Sequence, residues 1–373
     1  MPSLPDHPGF LPLAQLPSLV AQLMAGGYQC LGPAAEKGAI VMRPLDAADG
    51  LPRGLQAEQA PGRYQLTQDP QQRYFAWANG PQAIKPHLFA PRESLWRTQR
   101  NEQGRLQFTA VEPPAPMLAL IGVRACDLAA LALQDAHFLR GTQPDAHYAR
   151  RREKLFLVAV QCAEPGATCF CASTGDGPTP TAGYDLALTE LAEGFVTVAG
   201  SAKGAAVLRA LNLAPATSQQ IDDARQQGQA AAAAQIRSLP VRNLRDTLMS
   251  RLEHPRWDEV ATRCLACGNC TAVCPTCFCH AETDEPSLDG QSSEHARMWD
   301  SCFGETHGHL HGFNVRPDIR SRYRQWLTHK LATWHDQFGR SGCVGCGRCI
   351  AWCPAEIDLT AEVAALSKPE AQP

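Results

Sequence analysis

Two copies of one cysteine pattern constrain this chain more than any other feature of its sequence. Residues 264–275 and 343–354 each read CxxCxxCxxxCP, with three cysteines at three-residue spacing and a fourth before a proline. Glycines in both motifs allow a tight turn on which three thiolates converge on one cluster. The fourth cysteine lies one helical turn further on, and the proline frees it to reach elsewhere. This spacing is typical of paired [4Fe–4S] clusters.

The fourth cysteine of each motif binds the other motif's cluster in two-cluster ferredoxins. The sequence therefore predicts one cluster held by four thiolates from both motifs, namely Cys264, Cys267, Cys270 and Cys353. The other cluster is predicted on Cys343, Cys346, Cys349 and Cys274. Zinc is the alternative, but zinc sites usually pair two CxxC elements across a spacer. The two-cluster interpretation is the favoured one.

Four more cysteines lie in the middle of the chain, at Cys126, Cys162, Cys169 and Cys171. Cys126 and Cys162 each follow an apolar run that predicts a strand, at the edge where α/β sheets build their sites. Cys169 and Cys171 are two residues apart and share one side of an extended segment. Converging thiolates suit a third iron–sulfur cluster or a zinc ion, whereas separate buried thiols need no metal. We expect a third cluster, located in the N-terminal domain and away from the other two.

Three further cysteines exceed what these clusters need: Cys277, Cys279 and Cys302. They could bind a metal together with a fourth ligand such as His280, or take part in redox or sulfur chemistry. The segment THGHLHG adds three candidate ligands, although packed or solvated side chains are the commoner role of histidine: His307, His309 and His311. The sequence leaves these alternatives open.

The residues up to about 210 have the pattern of an α/β domain. Strands are predicted at β-rich or apolar runs, 39–44, 73–78, 117–123, 154–160 and 194–200. A helix is predicted after the third run, with Asp127 as its cap and with a buried face formed by Leu128, Leu131 and Phe138. Residues 184–194 predict either a second helix or a strand with a turn.

The rest of the chain has a helical pattern. Residues 213–240 are rich in alanine and glutamine, and they predict a linker or solvated helix between domains at 1–212 and 241–373. Helices are predicted over 241–262 and 317–336, each leading into a cysteine motif. The second has an apolar stripe formed by Ile319, Tyr323, Trp326, Leu327, Leu331 and Trp334. We expect an α+β protein, with an N-terminal α/β domain containing a partly parallel sheet and a C-terminal α-helical ferredoxin domain with two [4Fe–4S] clusters.

Charge and composition argue against several classes of protein. The 373 residues carry a formal net charge of −3, so no global basic character points to a nucleic-acid partner. The N-terminal sequence has no signal-peptide pattern, and no apolar run reaches the length of about 18 residues that a membrane span needs. Sixteen cysteines without an export signal favour metal or redox chemistry in the cytoplasm over a disulfide framework.

Basic residues are concentrated on or near the helix predicted over 317–336, at Arg316, Arg320, Arg322, Arg324 and Lys330. A solvated basic face is one interpretation. The other is a docking surface for an acidic partner protein, because complementary charge accelerates association between proteins.

Five segments, taken in order, resemble the iron–sulfur β subunit of soluble sulfhydrogenases and equally the iron–sulfur subunit of anaerobic sulfite reductases: GVRACDLAAL, VQCAEPGATCFCAS, CxxCxxCxxxCPTCFC, MWDSCF and GRSGCVGCGRCIAWCP. The resemblance covers about residues 115–360, and CPTCFC and WDSC are its most specific elements. The chain has Ala125 where members of the family often have proline. Sulfhydrogenases are NAD(P)-linked nickel–iron hydrogenases.

The resemblance implies an electron-transfer subunit with no catalytic residue of its own. In such complexes a separate subunit binds FAD and NAD(P)H, and another carries the catalytic nickel–iron or sirohaem centre. This chain fits that division, since it lacks a strand–GxGxxG–helix motif and the paired CxxC elements that hold nickel. Two alternatives are a reductase subunit that acts on a sulfur compound through the extra cysteines or the third metal centre, and a zinc-stabilised interaction protein.

Overall fold

Helices and two larger β-sheets make up the structure, a computed structural model that describes residues 7–46, 50–240 and 243–368. The strands in these residues are β1 (Gly9–Pro12), β2 (Gln29–Glu36), β3 (Ala39–Pro44), β4 (Leu55–Ala60), β5 (Arg63–Gln68), β6 (Arg92–Arg100), β7 (Leu106–Ala110), β8 (Leu118–Val123), β9 (Leu155–Val160), β10 (Leu186–Glu190), β11 (Gly194–Ala199), β12 (Ala214–Pro215), β13 (His280–Pro286), β14 (Ser292–Trp299), β15 (His309–Leu310) and β16 (Phe313–Asn314).

The α-helices of the same residues are α1 (Leu16–Ala25), α2 (Lys85–Leu88), α3 (Ala125–Leu139), α4 (Ala146–Glu153), α5 (Cys171–Thr174), α6 (Ala202–Leu211), α7 (Ser218–Ala233), α8 (Leu244–Met249), α9 (Arg256–Arg263), α10 (Asn269–Ala272), α11 (Ile319–Thr328), α12 (Trp334–Phe338), α13 (Arg348–Ala351) and α14 (Leu359–Ser367). Shorter turns include 3₁₀ turns at Leu13–Gln15 and Thr306–Gly308 and a π-helical turn at His329–Thr333. None of the described helices combines the length and apolarity that crossing a membrane requires.

An eight-stranded sheet forms the centre of the N-terminal half, in the order β12-β1-β11-β10-β9-β8-β2-β3. The pairings among β10, β9, β8 and β2 are parallel, and the outer pairings are antiparallel. Phe156 and Val158 of β9 belong to the core beside α1, whereas Leu155 and Leu157 belong to the core beside α3. Helices on both faces explain why β8 and β9 are continuous apolar runs in the sequence.

Four of the five predicted strands are confirmed, since 39–44, 117–123, 154–160 and 194–200 correspond to β3, β8, β9 and β11. Residues 184–194 form the strand-and-turn alternative, with β10 leading into β11. The prediction of a strand over 73–78 is wrong, because this segment is irregular. The N–H groups of Tyr74 and Phe75 donate to the Glu190 carboxylate at 2.7 and 2.8 Å instead of to a strand. The aromatic residues of this segment are there because it is buried. Because buried segments and strands are enriched in the same residue types, β-propensity does not distinguish the two.

A four-stranded antiparallel sheet joins distant parts of the chain, in the order β13-β14-β6-β7. Strands β13 and β14 form a hairpin located between the two cysteine motifs, with Gly290 in the left-handed region (φ 66°) at its turn. Strand β14 pairs with β6 of the N-terminal half. The prediction that the C-terminal part is helical is therefore wrong for residues 280–299, where the Asp289-Gly290 turn joins two antiparallel strands.

Helices surround the two cysteine motifs, as predicted, but with different bounds. The helix predicted over 241–262 is two helices, α8 and α9, separated by a turn that ends at Pro255, and 241–242 lie outside the described residues. The helix predicted over 317–336 is confirmed as α11, the π turn and α12. Its predicted stripe is buried except for the partly exposed Ile319.

Helix α7 occupies most of the segment predicted as a linker or solvated helix. A capping box formed by Thr217 and Gln220 begins the helix. The Gln161 side chain donates to the Ala224 carbonyl at 2.8 Å, and the Gln227 side chain donates to the Glu190 carbonyl at 2.8 Å. These bonds hold α7 against the eight-stranded sheet.

Candidate metal centres

The two cysteine motifs have the same local conformation and face each other. In each, a glycine in the left-handed region precedes a short helix: Gly268 (φ 73°) before α10 and Gly347 (φ 71°) before α13. The two helices are in contact, and the Asn269 side chain donates a hydrogen bond to the Trp352 carbonyl. This arrangement brings the end of each motif beside the beginning of the other.

The first predicted set of thiols lines one cavity. Its lining includes the predicted ligands Cys264, Cys267, Cys270 and Cys353. Burial raises the pKa of Cys270, and the thiols of Cys264 and Cys353 raise it further. Thiolates placed so close together need positive charge to offset their repulsion, and iron ions supply such charge. The residues present therefore fit an iron–sulfur cluster with a ligand from the second motif.

The second predicted set also lies together: Cys343, Cys346, Cys349 and Cys274. Burial raises the pKa of Cys343 to about 12, and the neighbouring thiols of Cys346 and Cys274 raise it as well. The pKa of Cys274 shifts in the opposite direction. A hydrogen bond from Cys277, together with the Lys330 ammonium, lowers the pKa of the Cys274 thiol well below its usual value.

Lys330 is a residue of this site whose role the sequence analysis did not predict. Its Nζ lies 3.3 Å from Cys274 Sγ and 3.0 Å from Thr276 Oγ1, and the side chain is buried. Lys330 lies three residues after Leu327 and four before Trp334, on the period of the buried stripe. A lysine on the buried face of an amphipathic helix is the sequence signal that could have indicated this role.

The basic residues on or near this helix do not all share an exposed face. Lys330 and Arg322 are buried, and Arg322 donates to three backbone carbonyls. Arg320 and Arg324 both bind the Glu253 carboxylate, at 2.9 and 2.8 Å. Their charges are therefore largely used within the chain.

The four middle cysteines converge at the carboxyl ends of the parallel strands in the eight-stranded sheet. Cys126 lies in the first turn of α3 after β8, and Cys162 follows the adjacent parallel strand β9. Burial raises the pKa of Cys169, and the thiols of Cys171 and Cys162 raise it further. Burial, Asp127 and the thiols of Cys346 and Cys171 raise that of Cys126. Cys346, which belongs to the second motif, is therefore a near neighbour of Cys126.

The expectation that this set lies away from the ferredoxin motifs is wrong, because its loop packs directly on the second motif. The Phe170 N–H donates to the Gly345 carbonyl at 2.8 Å, and Cys169 Sγ lies 3.7 Å from the Cys346 carbonyl oxygen. A Cβ at Gly345 would lie 2.5 Å from the Cys171 backbone nitrogen. The glycine that makes the motif's turn also permits this close approach.

The middle thiols do not form a group of three ligand atoms within 4.8 Å of one another. Among the described residues, Cys279, Cys302 and His307 form such a group. Thiolates on one tetrahedral zinc stand about 3.8 Å apart, given a Zn–S distance of about 2.3 Å. A cubane is larger and binds each thiolate through a different iron.

A buried ion pair joins the third set to the second motif. Arg348 of α13 lies 2.8 Å from Asp127 of α3, with side-chain exposures of 2% and 1%. The Asn79 amide donates to Asp127 at 2.6 Å, and Arg348 donates to the Gly80 carbonyl at 3.1 Å. The predicted capping role of Asp127 is therefore wrong, since Arg124 is the N-cap and Asp127 binds across the interface.

The three surplus cysteines divide into two groups. Cys277 lies near Cys274, and the interaction of the two thiols lowers the pKa of Cys274 and raises that of Cys277. Cys279 Sγ lies 3.8 Å from Cys302 Sγ, and His307 completes the group of three ligand atoms. A hydrogen bond with Cys279 lowers the pKa of Cys302 to about 7. A second hydrogen bond, between Cys279 and His307, raises the pKa of His307 to about 9.

The other candidate histidines lie outside this group. His280 is directed to the Phe278 carbonyl oxygen, at 3.2 Å, and it is not one of the three ligand atoms. His309 and His311 are exposed. Of the histidines singled out in the sequence, His307 is the one that the fold brings to the surplus thiols.

Comparisons with known proteins agree with the cysteine segments. Residues 263–357 match the family of 4Fe-4S dicluster domains. The chain is 32% identical over 277 residues to sulfhydrogenase 2 subunit beta of Pyrococcus furiosus, and the alignment covers 74% of this chain and 79% of the relative. No solved structure matches the chain. The resemblance predicted from the sequence is confirmed, and the chain belongs to the family of sulfhydrogenase beta subunits.

Proposed function

We propose that this chain is a cytoplasmic electron-transfer subunit of a multi-subunit redox enzyme. It relays electrons between a subunit that binds flavin and NAD(P)H and a subunit with a hydrogenase or sulfite-reductase centre. The relative's name, sulfhydrogenase 2 subunit beta, supports an assembly with other subunits. The observation that carries the proposal is the contact of three thiol sets in series, the first motif against the second and the second against the middle set.

Two [4Fe–4S] clusters are assigned to the motif thiols. Cys264, Cys267, Cys270 and Cys353 hold one, and Cys343, Cys346, Cys349 and Cys274 hold the other. Each cluster, when bound, accepts and releases one electron. The chain's own contribution is to bury the thiols, to exclude water with aromatic walls such as Tyr323 and Trp326, and to set the local charge.

A third [4Fe–4S] cluster is assigned to the middle set, Cys126, Cys162, Cys169 and Cys171. The convergence of these thiols at the carboxyl ends of adjacent strands supports it. Packing of residues 168–171 on the second motif gives the third cluster a direct neighbour in the relay. The first motif is the more exposed end, since Cys267 is exposed and Leu265 is 65% exposed. We assign the third cluster to the flavin side and the first to the opposite end.

An iron count on anaerobically purified, cluster-loaded protein tests the number of clusters. Three clusters give about twelve irons per chain and two give about eight, at four irons each. Cys169→Ser is expected to lower the count by about four. Cys30→Ser is the matched control, because Cys30 is buried in the core beside α1 and belongs to none of the three sets. A count near eight that Cys169→Ser leaves unchanged contradicts the third cluster.

Ligand exchange between the motifs has a separate test. Cys274→Ser is expected to alter the spectroscopic signal of the cluster on Cys343, Cys346 and Cys349, because Cys274 is assigned to that cluster. Site-resolved electron paramagnetic resonance on partly reduced protein separates the two signals. Loss confined to the cluster on Cys264, Cys267 and Cys270 contradicts the exchange.

The close pair of Cys279 and Cys302 keeps one second candidate open, a reductase subunit that acts directly on a sulfur compound. Turnover of sulfite or polysulfide by the isolated chain, with an artificial electron donor, supports that candidate. A chain that only transfers electrons is expected to be reduced by the donor without consuming either compound.

A further inference from the structure

We infer that Cys279, Cys302 and His307 bind a single zinc ion, separate from the clusters, at the base of the β13–β14 hairpin. The two sulfur atoms lie 3.8 Å apart, and all three ligand atoms lie within 4.8 Å of one another. Two thiolates on one tetrahedral zinc stand about 3.8 Å apart, given a Zn–S distance of about 2.3 Å. Thiolates on a cubane stand further apart, because each binds a different iron.

Asp300 orients the imidazole in the way that metal-binding histidines require. His307 Nδ1 lies 2.6 Å from Asp300 Oδ2, and the other oxygen of this carboxylate accepts from the Ser301 N–H at 2.7 Å. A histidine that donates one ring N–H to a carboxylate presents its other nitrogen to a metal, with raised basicity. His307 also contributes the third ligand atom of the group that contains Cys279 and Cys302.

The donor set favours zinc among the common ions. Two thiolates and one imidazole are ligands that zinc takes, whereas magnesium and calcium take oxygen ligands. Three protein ligands leave one of four tetrahedral positions for water or another small ligand. Cys277 lines a cavity together with Cys279 and Cys302, but it is not one of the three grouped ligand atoms.

The position of the site along the chain gives the ion a structural role. Cys279 immediately precedes β13, Cys302 follows β14, and His307 lies in the Thr306–Gly308 turn. One ion bound to all three closes the loop that contains the hairpin. Since β14 pairs with β6, the same ion fixes how the cysteine-rich part meets the N-terminal half. A cross-link of this kind stabilises the fold by restricting the unfolded chain.

Metal analysis of the anaerobically purified, cluster-loaded full chain tests this site. We expect about one zinc per chain in addition to the iron. X-ray absorption at the zinc edge is expected to show two sulfur ligands at about 2.3 Å and one nitrogen at about 2.0–2.1 Å. Cys302→Ser and His307→Ala are expected to lose the zinc and keep the iron. His309→Ala, an exposed histidine of the same segment, is the matched control and keeps both.

Asp300→Asn provides a test that does not remove a ligand. Loss of such a supporting carboxylate weakens metal binding about 10- to 100-fold, which chelator competition measures without bleaching the iron–sulfur absorption. Absence of zinc from the wild-type chain overturns the proposal, and so does zinc that survives both ligand substitutions. Iron lost together with Cys302 assigns the thiol to a cluster instead, and a disulfide between Cys279 and Cys302 in anaerobic protein assigns the pair to redox chemistry.

Discussion

The two cysteine motifs share one spacing, yet they lie in opposite surroundings. The first is at the surface, where Cys267 is exposed and Leu265 is 65% exposed. The second is covered by the N-terminal half, with Cys343 buried and Gly345 against the backbone of Cys171. Spacing therefore specifies which thiols converge, and the rest of the chain specifies the environment in which they do so.

The two predicted sets of thiols also differ in the charged residues that surround them. The residues lining the cavity of the first set are apolar, aromatic, cysteine or uncharged. Beside the second set, the buried Lys330 reaches Cys274, and the buried Lys85 donates to the Cys274 carbonyl at 3.3 Å. Nearby positive charge stabilises the reduced, more negative form of a cluster. We expect the second cluster to have the higher reduction potential.

The largest effect is expected from Asp127→Ala, which breaks the buried surroundings of the second motif. The substitution leaves Arg348 buried without its partner, and an uncompensated buried charge costs about 3–5 kcal/mol. Anaerobic denaturant unfolding measures the loss. Asp336→Ala is the control, because its pair with Arg245 is exposed and such pairs contribute about 0–1 kcal/mol. Equal losses in the two variants contradict a special role for the buried pair.

Gly345→Ala is expected to separate the second motif from the middle set. Both left-handed backbone and overpacking oppose a methyl group here, at about 2–5 kcal/mol together. Gly339→Ala isolates the first contribution, since Gly339 has φ 72° with nothing within 4 Å of an added Cβ. Unfolding and iron content are the measurements. If Gly345→Ala loses no more stability than Gly339→Ala and keeps its iron, the close contact is unimportant.

Lys330→Met is expected to lower the reduction potential of the second cluster. A unit charge a few ångströms away, at an effective dielectric constant of about 20, changes the potential by on the order of 100 mV. The first cluster is expected to shift less, because Lys330 contacts Cys274 and not the first set. Potentiometric titration gives both midpoints, with Lys203→Met on the exposed face of α6 as the control. Equal shifts at both clusters remove the electrostatic basis of the comparison.

The smallest effect is expected from Arg320→Ala on α11, where the Arg320 side chain is 25% exposed. Arg320 binds Glu253 and Asp258, which are exposed, and surface pairs of this kind contribute about 0–1 kcal/mol. The free energy of unfolding and the rate of association with partner subunits should both stay near their wild-type values. A marked slowing of association would restore the docking interpretation of this helix.

Local patterns in the sequence predicted most of what local interactions determine. The spacing of the motif cysteines predicted which thiols meet, because three-residue steps and a glycine turn act over a few residues. The apolar runs of β8 and β9 placed Cys126 and Cys162 at the ends of adjacent strands. The family was also recognisable, since segments such as WDSCF carry specific order and spacing.

Long-range interactions account for what the sequence did not predict. Aspartate is a residue type that often caps helices, but the partner of Asp127 is Arg348, more than 200 residues away. The sequence predicts a surface charge at Lys330, because the thiol that it contacts comes from another segment. The aromatic residues over 73–78 predict a strand, because burial and strand pairing give the same local signal. Pairing of β14 with β6 had no local signal at all.

That pairing has a consequence for synthesis on the ribosome. Strand β6 ends at Arg100, and the strand that covers its open side begins at Ser292. At about 5–20 residues per second, the gap of about 190 residues corresponds to roughly 10–40 s of translation. During that interval Glu93 has no Arg297 to bind, and the backbone groups along one side of β6 have no strand to pair with. The nascent chain is thus a natural client for chaperones until the hairpin emerges, and ribosome-bound chains that stop before Ser292 should aggregate more readily than those that include Trp299.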